Sequence, residues 1–159
     1  MAIDLSSLLN GGVILPLADA SSRKQAILLL AEALAGKLGE TVSARDIVDA
    51  VMEREQLGST GVGDGVAIPH ARLKQVSAPI GAYLRLKEGV DFDAIDERAC
   101  DIVFMLLAPL ASGADHLRAL AQVSRALRQS SLRDRLREVS TREDVCAILC
   151  PTTSNVSAA

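Results

Sequence analysis

The sequence predicts an α/β domain in which one β-sheet is covered by helices on both faces. The continuous apolar run of residues 102–107 is typical of a strand buried on both sides. Other strand-like runs are interspersed with segments whose apolar residues have helical spacing, as in layered α/β domains. The chain has 159 residues, 49% of them hydrophobic, which favours a single domain with one core and excludes disorder as its overall state.

Helix and strand signals follow in order through the first part of the chain. Asp4 is expected to cap a short helix that Gly11 ends, and the apolar run of residues 13–17 predicts a strand. Ser22, with Gln25 three residues later, forms a capping box before a long helix. The apolar stripe of this helix, which stops at Gly39, consists of Ile27, Leu30, Ala31, Leu34 and Leu38.

A second capping box, Ser43 with Asp46, opens the next helix. Ile47 lies on the apolar face of this helix. Arg54 follows it by seven residues, so this arginine is expected to leave the helix on the same inward side.

Glycines dominate the next stretch, where four of the chain's 11 glycines fall into eight positions, namely Gly58, Gly61, Gly63 and Gly65. This density excludes a long helix and predicts a bent or closely approached backbone. Residues 66–68 form a brief strand-like run closed by Pro69. Apolar and polar side chains alternate over residues 82–87, which predicts a half-buried strand.

The last third of the chain predicts three helices. Their apolar residues have helical spacing over residues 117–127, 132–136 and 145–149. Capping pairs open the first and the last of them, Ser112 with Asp115 and Ser140 with Glu143. The domain is therefore expected to span residues 4–150, with residues 151–159 as a small, polar and frayed C-terminal tail.

Composition excludes several classes of function. The net charge of −3 and the aromatic content of 2% argue against a nucleic-acid binder and against binding to an anionic membrane. Three cysteines are too few for a disulfide framework and favour a reducing compartment. The acidic start of the chain and apolar runs far shorter than the ~20 residues of a membrane span predict no signal peptide and no membrane insertion. We therefore expect a cytoplasmic protein.

The chain has two histidines, and both have contexts that suit chemistry. His70 follows the glycine-dense stretch and Pro69, whose ring fixes the backbone beside the imidazole. His116 lies in the first turn of a predicted helix, where the helix dipole favours a neutral imidazole that can donate a hydrogen bond to a phosphoryl oxygen. A purely structural role remains the alternative for each histidine.

Other chemistries fit less well. Residues 61–65 have glycines like a nucleotide loop, but no helix follows directly, no Gly-Lys-Ser/Thr is present and Asp64 would repel phosphate. The spacing of a zinc site and the Gly-x-Ser-x-Gly elbow of a serine hydrolase are both missing. Seven arginines between Arg118 and Arg142 form either a solvated helical surface or a docking face for an acidic protein partner.

Residues 58–70, Gly-Ser-Thr-Gly-Val-Gly-Asp-Gly-Val-Ala-Ile-Pro-His, resemble the active-site signature of the mannitol/fructose-class EIIA domains (EIIA type 2) of the bacterial phosphoenolpyruvate-dependent phosphotransferase system. The resemblance continues with Arg54 upstream, with residues 91–96, and with His116 at the start of a helix. It covers residues 4–150. The length of the chain and its Ser-Thr-Gly-Val-Gly segment most resemble the nitrogen-regulatory branch of these domains, EIIA-Ntr.

This resemblance implies a mixed sheet of about five strands flanked by helices. It implies that His70 is the phosphorylated nucleophile, reacting at Nε2, and that His116 and Arg54 bind the phosphoryl oxygens. An HPr-like histidine phosphocarrier would be the donor, and no cofactor or metal is implied. Asp64 replaces a residue that is often asparagine or another small polar residue in relatives. The chemistry of the residues agrees, because a neutral imidazole is a nucleophile at cytosolic pH and phosphoryl transfer needs mainly alignment and charge neutralisation.

The leading hypothesis is thus a nitrogen-regulatory phosphocarrier, a phosphotransferase component whose phosphorylation state decides which regulatory protein partners it binds. One alternative is a sugar-specific EIIA that passes the phosphoryl group to an EIIB component. Another, of a different class, is a regulatory binding module that is not phosphorylated. The identity of the partners, weak self-association and the role of the arginine-rich region stay open.

Overall fold

The computed structural model describes residues 4–39, 41–111 and 113–151. Within these residues the chain forms one mixed sheet between two layers of helices. The helices are α1 (Ser6–Leu9), α2 (Arg23–Leu38), α3 (Ala44–Leu57), α4 (Gly113–Leu127), α5 (Ser130–Glu138) and α6 (Arg142–Leu149). The strands are β1 (Val13–Ala18), β2 (Gly61–Gly63), β3 (Val66–Ala67), β4 (His70–Leu73), β5 (Ile80–Val90) and β6 (Cys100–Pro109).

Strand β6 lies at the centre of the sheet. It is antiparallel to β5 and parallel to both β3 and β4, and the order across the sheet is β1-β5-β6-β3-β2. Strand β3 pairs with the first half of β6, and β4 pairs with residues 106–109 of its second half. Strands β3 and β4 therefore follow one another along the same side of β6, which brings His70 to the end of β6 that leads into α4.

Helices cover the sheet on both faces, which confirms the predicted fold class. Ile102, Phe104 and Leu106 of β6 pack with α1 and α4 to α6, whereas the alternate residues Val103 and Met105 pack with α2 and α3. All of these side chains have zero exposure, because both faces of the central strand are covered. The predicted strand at residues 102–107 is confirmed as the most buried part of the sheet.

The described sheet has six strands, close to the five that the resemblance implies. The additional strands come from the glycine-rich region, where only one strand, at residues 66–68, is predicted. Strand β2 has the sequence Gly-Val-Gly and lacks the apolar alternation that signals a strand. Strand β4 begins directly after Pro69, which separates it from β3.

Asp64 and Gly65 form the two-residue turn between β2 and β3. Both have positive φ, 57° and 78°, the pattern of a type I′ hairpin turn, which favours Asp-Gly. Arg137 of α5 donates a 2.7 Å hydrogen bond to the Asp64 carbonyl and forms a 2.8 Å ion pair with Asp101. Arg133 lies 3.7 Å from the Asp64 carboxylate. These two arginines of the basic region therefore hold the hairpin and are not a freely solvated surface.

Two predictions about strands and caps are wrong in part. Strand β5 is not half-buried at Tyr83, which has zero exposure because the helices of the second face cover it. The last helix is capped by Thr141, whose hydroxyl accepts the Asp144 N–H at 3.2 Å, and not by Ser140. The cap lies one residue later because the helix begins at Arg142.

The predicted capping box of α3 is confirmed, and that of α2 is confirmed only in part. Ser22 accepts the Gln25 N–H at 3.1 Å, although the Gln25 side chain bonds the preceding serine instead of closing the box. The box of Ser43 with Asp46 has both of its hydrogen bonds. Of the remaining expectations, the Ser112 cap and the tail beyond Pro151 lie outside the described residues.

Candidate functional site

The fold brings the two histidines together. His70 is the first residue of β4 and His116 lies in the first turn of α4. Their ring centroids are 5.4 Å apart and the ring planes are tilted by 47°. The two rings meet because β4 pairs with the last residues of β6, and the chain enters α4 directly after β6.

One hydrogen bond fixes the protonation pattern of the His70 ring. The Nδ1 atom lies 2.8 Å from the carbonyl oxygen of Ile68. A carbonyl oxygen can only accept, so in the neutral ring Nδ1 carries the proton and Nε2 carries the lone pair. The carbonyl of Ile68 is itself held in place, since the Ile68 N–H donates to the Thr60 carbonyl at 2.9 Å. In the neutral His70 ring the lone pair is therefore on Nε2.

Both imidazoles have a lowered pKa. Burial is the largest cause for His70, and the charge of Arg54 lowers its pKa further, whereas the hydrogen bond to Ile68 and the charge of Glu55 raise it. The pKa of His116 is lowered by burial, then by repulsion from His70 and Arg72. Near pH 7 both rings are consequently neutral.

His116 also has a polar atom without a partner. Its side chain is 8% exposed, and its buried Nδ1 atom makes no hydrogen bond to the described part of the chain. Buried polar atoms are usually paired. The ring is thus held by packing next to His70, with hydrogen-bonding capacity that the described residues do not use.

Arg54 lies in the last turn of α3 and lines the same cavity as the two histidines. It is half-buried and its Nη1 atom donates a 2.9 Å hydrogen bond to the Gly58 carbonyl. In this turn the buried side chain is that of Glu55. The prediction that the Arg54 side chain points to the inward face of α3 is therefore only partly correct. Arg54 stands at the edge of the buried stripe, which places its guanidinium at the cavity.

The cavity has a volume of about 530 Å³ and combines polar and apolar groups. His70, His116, Arg54 and Arg72 supply two neutral imidazoles and two cations. The surrounding apolar rim consists of Leu57, Leu110 and Leu117, which are 84%, 56% and 66% exposed. An anion such as a phosphoryl group matches the charge of the cavity, and the exposed leucines favour contact with another protein.

Sequence reasoning did not identify Arg72 or Glu55. Arg72 lies two residues after His70 on β4, so its side chain leaves the strand on the same face, and this period-two relation was the available signal. Glu55 follows Val51 by four residues on the buried stripe of α3. An acidic residue at such a position was the signal that it has a specific partner.

The model of the family described as phosphoenolpyruvate-dependent sugar phosphotransferase system, EIIA 2, matches residues 7–150. The chain therefore belongs to this family of phosphotransferase system components. Within the family it is similar to nitrogen regulatory proteins. That of Pseudomonas aeruginosa is 40% identical over 147 residues, covering 92% of this chain and 95% of the relative. That of Bradyrhizobium diazoefficiens is 37% identical over 145 residues, covering 91% and 94%. The resemblance to the nitrogen-regulatory branch is thus confirmed.

Solved structures agree with this placement. The crystal structure of the nitrogen regulatory protein IIA-Ntr from Neisseria meningitidis is 34% identical, with a TM-score of 0.82, and the match covers 91% of this chain and 98% of that one. A fructose-specific EIIA component from Haloferax volcanii is 43% identical over 102 residues, 64% of this chain and 66% of the relative. The chain therefore has relatives in both the regulatory and the sugar-specific branches.

The described residues contain neither a membrane-spanning helix nor a metal-binding cluster. None of the helices has both the length and the apolar character that a membrane-spanning helix needs. No group of three or more histidine, cysteine, aspartate or glutamate side chains has an arrangement suited to a metal ion in the same part of the chain.

Proposed function

We propose that this protein is a cytoplasmic phosphocarrier that accepts a phosphoryl group on Nε2 of His70 from a histidine-phosphorylated HPr-like protein. In this proposal it regulates partner proteins through its phosphorylation state. The observation that carries it is the hydrogen bond from His70 Nδ1 to the Ile68 carbonyl. This bond leaves the Nε2 lone pair available, and the lowered pKa keeps the ring neutral without a separate base.

The transfer step follows from this geometry. The Nε2 lone pair forms a bond to phosphorus while the P–N bond of the donor breaks, and each imidazole keeps the N–H on its other nitrogen. The donor histidine leaves as a neutral imidazole. Arg54 and Arg72 neutralise the charge of the phosphoryl oxygens, and His116 donates a hydrogen bond to one of them. His70, Arg54 and His116 are thus proposed in the roles that the resemblance implies.

The apolar rim supports a protein as the phosphoryl donor. Leu57, Leu110 and Leu117 surround the cavity and are largely exposed. Contact between two proteins would bury these side chains and exclude water from the transfer site, which strengthens its electrostatic interactions. A small phosphorylated metabolite would leave this rim uncovered.

Phosphorylation of purified protein tests the carrier role. With phosphoenolpyruvate, enzyme I and an HPr-like protein, the wild type should acquire acid-labile, alkali-stable label, and His70→Ala should acquire none. Thermal unfolding would show that the variant is folded. Label at the wild-type level in His70→Ala would refute the assignment of the nucleophile, and an unlabelled wild type would favour the binding module.

Regulation is tested through the partners themselves. Phosphorylation adds ~1.5 to 2 negative charges beside the apolar rim, so a partner that covers the rim with apolar groups would have to desolvate them. We expect at least one partner recovered from extract to bind the unphosphorylated protein more tightly, and His70→Glu to weaken the same complex. Identical affinities of both forms for every partner would remove the regulatory role.

A second candidate is a sugar-specific EIIA that passes its phosphoryl group to an EIIB component. The 43% identity to a fructose-specific EIIA component favours it. Both candidates share the first transfer to His70 and differ in the second. Incubation of the phosphorylated protein with fructose-type EIIB domains distinguishes them: rapid transfer of label supports the sugar-specific role, and retention of label supports the regulatory one.

A further inference from the structure

A buried carboxylate lies behind the His70 strand. Glu55 of α3 is 5% exposed, and one of its oxygens accepts the hydroxyl hydrogen of Thr60. Its other oxygen lies 3.3 Å from Arg23 Nη1 and 3.4 Å from the Thr60 backbone nitrogen. A buried carboxylate is costly unless it is paired and hydrogen-bonded. Glu55 has both kinds of partner, one cation and two groups of Thr60.

Thr60 connects this carboxylate to the histidine. Its carbonyl accepts the Ile68 N–H at 2.9 Å, and the Ile68 carbonyl accepts the His70 Nδ1–H at 2.8 Å. Three successive contacts thus lead from Glu55 through Thr60 and Ile68 to the ring. Apart from Glu55 of α3, each donor and acceptor belongs to a residue in or next to the short strands β2, β3 and β4.

The short strands need such an anchor. Strand β2 has three residues and β3 has two, so few ladder hydrogen bonds hold the backbone that presents His70. The side chain of Arg23 adds a second attachment, because its Nη1 atom also donates to the Phe92 carbonyl at 3.3 Å. The Ser59 hydroxyl donates to the same carbonyl. The residues before β2 are therefore fixed from the α2–α3 side of the sheet.

We propose that Glu55 and Thr60 are positioning residues which, through the Ile68 carbonyl, hold His70 in the tautomer that leaves Nε2 free. The proposal rests on the proposed function for its kinetic consequence, because the reaction uses the Nε2 lone pair. The tautomer itself is measurable without any phosphoryl transfer.

Other titratable groups lie around the ring, and the test has to separate their effects from that of the hydrogen bonds. Glu53, Arg54 and Glu55 approach from α3, Arg72 from β4 and His116 from α4. Loss of the Glu55 charge removes an attraction for the imidazolium and should lower the pKa of His70. Loss of the Thr60 hydroxyl leaves every charge in place and changes only the hydrogen bonds.

Thr60→Val, Thr60→Ser and Glu55→Gln are the informative variants. Asp49→Asn is the matched control, because Asp49 is an exposed acidic residue on the same helix. Nitrogen NMR of the His70 ring gives its tautomer and its pKa, and single-turnover phosphorylation by the HPr-like donor gives the rate.

Thr60→Val should show a mixture of His70 tautomers and phosphorylation slower by about tenfold. At metal sites, loss of the residue that hydrogen-bonds a histidine ligand lowers affinity or activity by about 10- to 100-fold, and we expect the lower end of this range here. Thr60→Ser restores the hydroxyl and should restore both values. Glu55→Gln should lower the pKa of His70, while the control matches the wild type.

A folded Thr60→Val protein with the wild-type tautomer and rate would overturn the proposal. If that variant does not fold, Glu55→Gln decides through the tautomer, and a folded Glu55→Gln protein with the wild-type His70 tautomer and phosphorylation rate overturns the proposal. A wild type that takes no label, combined with the expected change of tautomer, would refute the proposed function and leave the positioning of the ring supported.

Discussion

Replacement of His116 by alanine should slow the phosphorylation of His70 by about 10²-fold. Loss of one preorganised hydrogen-bond donor costs between ~10² and ~10³ in rate, or about 2.7 to 4 kcal/mol. The lower value applies here, because burial and neighbouring positive charge lower the pKa of His116 and make it a neutral donor. His116 is 8% exposed and its ring centroid lies 5.4 Å from that of His70, so solvent does not readily supply a substitute donor.

Rapid-quench measurement of a single turnover from the phosphorylated HPr-like carrier gives this rate directly. His116→Gln retains an N–H donor of similar reach and should recover part of the loss, whereas His116→Ala should not. Denaturant unfolding of each variant separates a loss of the fold from a loss of the donor. Equal rates for the wild type and a folded His116→Ala protein would show that His116 takes no part in the transfer.

Three further predictions concern the charge, the titration and the backbone of the site. The Arg54→Lys variant should accept the phosphoryl group about tenfold more slowly, with an unchanged free energy of unfolding. Lysine lacks the planar guanidinium fork and so makes one hydrogen bond fewer to the charged phosphoryl group. Equal rates would show that Arg54 contributes only its positive charge. The free energy of unfolding should rise with pH between the lowered folded-state pKa values of His70 and His116 and their ordinary value of 6.5. In this pH range the unfolded chain binds more protons than the folded protein. Urea unfolding between pH 5 and 8 measures this, and a double glutamine variant of the two histidines should lose that part of the slope. Gly65→Ala should destabilise the protein by about 1 to 3 kcal/mol, because φ is +78° and the new Cβ would lie 2.6 Å from Arg137 Nη2. Gly36→Ala, with open space around it in a helix, should be neutral or stabilising in the same unfolding assay.

The long elements were predictable because each has a strong local signal. The serine caps and apolar stripes of α2 and α3 determine where these helices begin and which face is buried. Residues 102–107 form a strand buried on both faces, and a continuous apolar run is the expected pattern for that position. Burial of Tyr83 was not predictable in the same way, because alternation along β5 indicates one polar face and the helices that cover this face come from distant parts of the chain.

The short strands depend on tertiary pairing and were harder to predict. Strand β2 has no propensity of its own and pairs with β3 because a two-residue turn returns the chain. The Asp64-Gly65 dipeptide was a usable signal, since Asp-Gly is typical of type I′ hairpins. Asp64 tolerates the positive φ of this turn, and its carboxylate lies 3.6 Å from Arg98.

Three residues of the candidate site were predictable from the sequence, but their geometry was not. The resemblance supplied His70, His116 and Arg54, and the structure brings all three to one cavity. Spacing alone could not show that the His70 ring donates to the carbonyl two residues before it, because this contact depends on the backbone conformation of residues 68–70. The role of Glu55 could not be predicted because its partners, Thr60 and Arg23, come close to it only when α2 and α3 pack together.

Under the proposed function, the same surface has to bind both the phosphoryl donor and the regulatory partner. The lowered pKa of His70 favours a neutral nucleophile for accepting the phosphoryl group, and a less basic ring is also a better leaving group when the group is passed on. The donor must reach Nε2 across the apolar rim of Leu57, Leu110 and Leu117. A regulatory partner that senses the phosphoryl charge must contact the same rim, because that charge is screened within about 8 Å at physiological ionic strength. The donor and such a partner therefore exclude one another, and a bound partner would protect the unphosphorylated state that it recognises.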